Sequence, residues 1–180
     1  MMSNINVVLR TTKTSNAVAL EVSTDQCEVT LTHFYADGQV KMGNGLVSTT
    51  GSLAATGTFT KPVAGIDETD ATYRKTGAFT FAAVPQELKR DSGSEPYVGI
   101  TIKTPDNNQY YVVKALSDII ATSNGGSQNQ TESGKIDFWY PNHSYTYTFT
   151  LTKAGIDDVT CTVSDWVKVT ANNQNISLED

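Results

Sequence analysis

Residues 136–166 read IDFWYPNHSYTYTFTLTKAGIDDVTCTVSDW, and this stretch decides the fold class. Tyr145, Tyr147, Phe149 and Leu151 alternate with Thr146, Thr148, Thr150 and Thr152. A period of two places every second side chain on the same face of a strand. One face is therefore aromatic and aliphatic, and the other is a row of β-branched threonines suited to a pleated surface that meets water. Lys153 to Asp158 carries turn chemistry. Val159, Cys161 and Val163 then alternate against Thr160, Thr162 and Ser164. The pattern predicts an antiparallel hairpin with one buried face. It names no chemistry.

Outward from this hairpin, the rest of the chain repeats the theme of short strands and turns. Ile5, Val7 and Leu9 alternate in a first strand, and Val18, Leu20 and Val22 in a second. Cys27, Val29, Leu31 and His33 line one face of a third. Asp37-Gly38 signals a two-residue hairpin turn, because a type I′ turn needs positive φ at both central positions. Gln39 to Met42 should then return antiparallel. Short strands are expected at Leu46–Thr50 and Thr58–Thr60, and residues 63–77 read as a long irregular loop. Ala78 to Val84 forms a strand with Phe79 and Phe81 on one side, ended by Pro85, which has no N–H for a ladder. Val98, Ile100 and Ile102 form another, and Gln109 to Lys114 pairs back across the turn at Pro105–Asn108. Leu116, Ile119 and Ile120 have helical spacing and mark the one short helix candidate, Ala115 to Ala121. Trp166 falls on the face opposite Val159, Cys161 and Val163, which implies a bulge near Asp165 or an outward-facing indole.

These short strands with turn signals predict an all-β, antiparallel Greek-key sandwich of two sheets, with at most one short helix. Residues 1–170 are expected to form a single sandwich domain and residues 171–180 a flexible acidic tail. A core drawn from 180 residues needs no disulfide or metal to be stable.

Composition narrows the function classes. The net charge is −6 and the pI is near 4.8. With no basic cluster, a nucleic-acid partner is disfavoured. No apolar run approaches the roughly 18–20 residues of a membrane helix. Met1-Met2-Ser3-Asn4 is polar and carries no signal-peptide core. The chain is thus expected to be either cytosolic or a processed or truncated form. Cys27 and Cys161 are read as two buried thiols or as a disulfide between distant strands, the latter implying an oxidising compartment.

No catalytic residue, metal ligand set or cofactor motif stands out. His33 and His143 lack metal-ligand spacing. Asp67, Glu68 and Asp70 crowd one loop without the pattern of a calcium loop. Nucleophile elbows and phosphate-binding glycine motifs are missing. Trp139 and Tyr140, with Tyr110, Tyr111 and Trp166, are the aromatics available for a sugar-stacking platform; the competing reading is core packing and cross-strand pairing.

The order of features resembles the fimbrillins of Bacteroidetes, the subunits of type V fimbriae. Ile5–Val22, with Ser15-Asn16-Ala17-Val18 before an alternating strand, is similar to the early strand pair of that family. Val29–Lys41 is similar to its next hairpin, and Phe81-Ala82-Ala83-Val84-Pro85-Gln86 to its Val/Ile-Pro-Gln strand end. Pro141 through Tyr147, on to Trp166, is similar to its late tyrosine strand and terminal tryptophan; this is the most specific element. The chain departs from the pattern at Lys13-Thr14-Ser15, where a His-Ala-Leu segment is usual. It departs again at Asn142 or His143, where a glycine precedes the tyrosine strand. It also lacks the lipoprotein signal, and it has room for about one of the two β domains typical of the family.

The resemblance implies a non-enzymatic, exported, cell-surface subunit without a cofactor, whose partners are other fimbrial subunits and surface glycans or proteins. Any link to the membrane would be through an anchor outside this chain. It implies assembly by strand addition. The expected donor lies in residues 167–180, with Val167, Val169, Ile176 and Leu178 as its apolar positions, and the expected groove involves the strands near residues 5–22. The alternative is a carbohydrate-binding sandwich that uses exposed aromatics at Trp139 and Tyr140.

Overall fold

The computed structural model describes residues 2–13, 24–43, 47–53, 55–63, 65–90, 94–103, 108–123, 134–152 and 155–165. The strands are β1 (Ser3–Thr12), β2 (Cys27–Phe34), β3 (Asp37–Val40), β4 (Val47–Thr50), β5 (Ala55–Thr58), β6 (Tyr73–Lys75) and β7 (Phe79–Ala83). They continue with β8 (Gln86–Glu87), β9 (Tyr97–Lys103), β10 (Gln109–Ala115), β11 (Ala121–Ser123), β12 (Phe138–Trp139), β13 (His143–Thr152) and β14 (Gly155–Asp165). The helix expected at Ala115–Ala121 is a single 3₁₀ turn, Leu116–Asp118. Among the described residues it is the one helical segment.

Two main sheets face each other. The larger has the order β11-β14-β13-β1-β6, with β7 beside β6 on the same flank of β1; the smaller has the order β10-β9-β2-β5. Their inner faces share one buried cluster. Ile5, Val7, Phe79, Tyr147 and Cys161 come from the larger sheet, and Val29, Leu31 and Ile100 from the smaller. The alternation read in the sequence is what fills this core. Tyr145, Tyr147 and Phe149 are buried opposite Val163, Cys161 and Val159 of β14.

The all-β sandwich is as expected, and two of its ladders are parallel: β1 with β13, and β11 with β14. The first joins residues about 140 positions apart in sequence, such as Val7 and Tyr147. On the outer face the β1–β13 pair is tied by side chains. The Asn6 amide donates to Ser144 Oγ (2.9 Å), and Arg10 Nε donates to Thr150 Oγ1 (2.7 Å).

Four local expectations are corrected. His33 does not share the face of Cys27, Val29 and Leu31. It has φ 59° at a register break between Thr32 and Phe34, which turns Phe34 into the core instead. His33 stacks edge-on against Tyr97, with ring centroids 5.3 Å apart. Asp37-Gly38 is not a turn but the start of β3, which pairs with β4 as a separate ribbon. Gly38 is needed there for close approach, since a Cβ would lie 2.5 Å from Val84 Cγ1. Residues 63–77 contain β6, which pairs with the end of β1, and a bridge between Asp67 and Lys75. The hairpin turn is shorter than Lys153–Asp158: β14 already starts at Gly155, whose φ of 135° favours glycine. A register break near Thr150 and Leu151 then sets Ile156 opposite Leu151. The strand expected at Val18–Val22, the turn at Pro105–Asn108 and Trp166 lie outside the described residues, the turn except for Asn108.

Candidate functional site

β1 is an interior strand of the larger sheet, and its flanks are occupied. β13 covers Asn4–Arg10 on one side. On the other, β7 covers Ser3–Val7 and β6 covers Arg10–Thr12. Between them the buried Thr76 closes the gap: its hydroxyl accepts the Leu9 N–H (3.1 Å), and its own N–H donates to the Leu9 carbonyl (2.8 Å). The groove expected near residues 5–22 is therefore filled over Ile5–Thr12, because three strands already satisfy that backbone. The remainder of that stretch, residues 14–22, lies outside the described residues, as do the donor positions Val167, Val169, Ile176 and Leu178.

Trp139 is a core residue and offers no exposed stacking surface, which corrects the expectation for it. It is fully buried, and its indole N–H donates to Tyr147 Oη (2.9 Å). A large apolar ring with one polar atom is stable inside only if that atom finds a partner, and Tyr147 supplies it. Burial raises the Tyr147 phenol well above its ordinary ionisation range, so it remains a neutral partner for the indole. Tyr140 is half-buried. Its ring lies 4.8 Å from Phe138 and 6.2 Å from His143, and its N–H donates to the Tyr145 hydroxyl (2.8 Å). Among the other described aromatics, Tyr111 is the exposed one, at 61 %.

Cys27 and Cys161 are both buried, and no disulfide joins them. Burial pushes the Cys27 thiol up to about 11, and it raises Cys161 further from its ordinary value. Both are thus poor nucleophiles at neutral pH. The carboxylates of the Asp67–Asp70 loop have partners of their own. Asp70 pairs with Lys75 (2.6 Å), Glu68 with Arg74 (2.8 Å), and Asp67 accepts the Thr69 N–H and hydroxyl. The Lys75 bond, helped by the N–H groups of Thr72 and Tyr73, holds Asp70 below the usual carboxylate range. Among the described residues no cluster of metal-ligating side chains occurs. His143 sits beside Tyr140 and Tyr145, with Nδ1 2.9 Å from the Pro141 carbonyl oxygen.

One hub carries little sign of its role in residue chemistry alone. Gln86 is buried. Its Oε1 accepts from the Tyr35 N–H (2.8 Å) and from Arg90 Nη2 (2.9 Å), and its amide donates to the Val84 and Tyr35 carbonyls. Arg90 Nη1 also donates to the His33 carbonyl (2.7 Å). The Val-Pro-Gln signature thus marks a side chain that braces the corner after β2.

A concave feature of the surface lies where the two sheets part. Among the described residues β10 ends the smaller sheet, with β9 as its ladder partner. β14 meets β11 at Cys161 and Thr162 but carries no ladder over Gly155–Thr160 on that flank, among the described residues. Between β10 and β14 runs a groove of about 690 Å³, lined by Val112, Lys114, Ile119, Ile120, Ile156 and Val159. Asp118 and Asp158 on its rim are paired with Lys135 (3.1 Å) and Arg10 (3.6 Å). Among the described residues Lys114 has no ion-pair partner. The register sets Lys114 opposite Val98 on the inward side of β10, so its charge belongs to the groove. The groove combines aliphatic walls with one cation, Lys114.

The fold is an all-β sandwich with a groove between the ends of its two main sheets. The model of the fimbrillin-like family matches residues 1–166, and the chain belongs to that family. Comparison with curated proteins finds no match. Among solved structures, the chain is similar to a protein of Bacteroides uniformis described as a cell adhesion protein. That alignment has 14 % identity and a TM-score of 0.49, and covers 92 % of this chain and 51 % of that one. A similarly described protein of Bacteroides ovatus aligns at 10 % identity and a TM-score of 0.49, over 93 % of this chain and 46 % of that one. The chain spans about half the length of these structures. No described helix is long and apolar enough to cross a membrane.

Proposed function

We propose that this chain is part of a cell-surface fimbrial or adhesion subunit with a structural, non-enzymatic role. It joins other fimbrial subunits by strand addition. The observation that carries the reading is the family match over residues 1–166. The physics agrees with it. Strand addition needs an edge with open N–H and C=O groups and a place for alternate side chains, and among the described residues β10 has a ladder partner on one side. A donor and an acceptor at different places on one molecule make a heterologous contact, which propagates as a filament when the rotation does not close. The proposed donor is the segment from Val167, where apolar side chains recur at Val167 and Val169 and again at Ile176 and Leu178.

Deletion of Ala171–Asp180 tests the reading. The truncated chain is expected to keep its β-sheet circular dichroism while losing all polymer by sedimentation and electron microscopy. A truncated chain that polymerises as well as the full chain would refute donation by this segment. The carbohydrate-binding alternative loses its main platform, because Trp139 is buried.

A further inference from the structure

We infer that the outer face of the smaller sheet, at Tyr111 and Gly99, is a binding site for a neutral hexose oligosaccharide. Neither residue lines the groove, and the site does not depend on the assembly proposed above. Along β10, Tyr110 and Val112 pack against the core, so Tyr111 and Val113 point outward, and both are exposed. The register sets Tyr111 opposite Thr101 and Val113 opposite Gly99. The Tyr111 side chain leans diagonally from its own row to the next. A Cβ on Gly99 would fall 2.9 Å from its Oη and 3.2 Å from its Cε2.

Gly99 is the second observation. It lies inside β9 and has no positive φ, so its backbone does not call for glycine. Glycine inside a strand weakens it and marks a close approach. Here the approaching groups are the edge of the Tyr111 ring and Thr30 Oγ1, the latter 2.9 Å from the same Cβ position. A ring held along one edge and otherwise exposed presents a π face to solvent.

The surroundings of the ring select the occupant. Thr101 lies opposite Tyr111, and Thr30 lies opposite Gly99. Hydroxyls therefore flank the ring on its own row and on the next. Among the described residues the charges on this face are Glu28 and Lys103, one of each sign, so the face does not select an ion. A pyranose is the complement of this arrangement. The C–H bonds of its flat side carry partial positive charge and meet the negative π face, and its rim hydroxyls meet the threonines. A second protein fits less well. A stable protein interface covers about 800 Å² per partner around an apolar centre. Tyr111 and Val113 are the large apolar side chains exposed on this face, an area that one or two sugar rings cover. β10 is also the last strand of its sheet among the described residues, so a chain of sugars can continue past the edge.

The test titrates the full chain by calorimetry with a panel of neutral α- and β-linked hexose oligosaccharides. At least one is expected to bind, with saturation transfer to its pyranose C–H protons. Tyr111→Ala should weaken that binding about tenfold, and Tyr111→Phe, which keeps the ring, should retain most of it. Gly99→Ala should also weaken it, because the new Cβ displaces the ring edge while Tyr111 itself remains. Far-UV circular dichroism controls for folding.

A panel with no binder overturns the inference. So does binding that Tyr111→Ala leaves unchanged while stability falls, since the ring would then only cover the glycine. A full chain that dimerises in sedimentation, is split by Tyr111→Ala and ignores every saccharide also overturns it, because the face would belong to a second copy. Deletion of Ala171–Asp180 should leave saccharide affinity unchanged whatever it does to polymer, and a loss of affinity there would place the site elsewhere and overturn the inference.

Discussion

The two sides of the sandwich close in different ways. On the side of β5 and β7 the sheets are stitched together. Thr60 and Thr80 exchange both backbone hydrogen bonds, at 2.8 and 3.0 Å, and the Phe59 N–H donates to the Val29 carbonyl (2.9 Å). Phe34 and Phe59 each lie 5.3 Å from Phe81, so three rings fill the space behind the stitch. On the side of β10 and β14 no aromatic ring among the described residues lines the gap. Val112, Ile156 and Val159 reach in from opposite sheets, and about 690 Å³ is left between them. Side-chain volume and an extra backbone bridge close one seam, and among the described residues the other has smaller side chains and no such bridge. Sheets normally cover such an edge, and under the proposed assembly it would be available to a partner.

The contrast can be broken most directly on the closed side. Phe59→Ala is expected to destabilise the chain by about 3–4 kcal/mol, because the ring is buried and its neighbours cannot collapse around a stitched backbone. Urea unfolding monitored by circular dichroism measures it. A loss below about 1 kcal/mol would mean that the three-ring cluster does not hold this seam. Gly57→Ala should cost somewhat less, about 1–3 kcal/mol by overpacking. Its Cβ would fall 2.6 Å from Phe81 Cε2 and 3.2 Å from Phe34 Cζ, both on confined rings. If Phe81→Leu, which frees that space, relieves most of the penalty in a double-mutant cycle, the close approach is its cause.

The open side should respond far less. Val159→Phe adds a ring where there is room, and its effect on unfolding free energy is expected within about 1 kcal/mol. It should weaken polymer formation more than stability, which is the sharper form of the contrast. The smallest effect is expected at Val113, which is half-exposed and points away from the core. Val113→Thr should change stability by no more than about 0.5 kcal/mol. A large loss there would show that the β10 edge is a structural closure and not a free surface.

Much of the core was legible because alternation is a local property. Tyr145, Tyr147 and Phe149 against Val163, Cys161 and Val159 could be read from spacing alone, and they sit in the core as that spacing requires. The local misreadings all have a long-range cause. His33 left its face because a bulge admits Phe34, and whether a bulge forms depends on β5 across the sheet. Asp37-Gly38 has the chemistry of a turn, yet Val84 from β7's end packs where a Cβ would be and the ribbon β3–β4 forms instead. Trp139 looked available for a ligand because its neighbours in sequence are polar or aromatic. Tyr147, eight residues on, takes its N–H in the interior.

By itself the sequence determined that the chain forms amphipathic strands, which faces of them are apolar, and, through a few motifs, the family. Those follow from side-chain period and composition, which need no knowledge of partners. The tertiary structure alone decided that β1 lies parallel to β13 with both flanks filled, that Gln86 and Arg90 brace a corner, and that the sheets part at β10 and β14. Strand order, register and the volume left between sheets depend on contacts between residues distant in the chain, and side-chain alternation is the same whichever strand lies alongside.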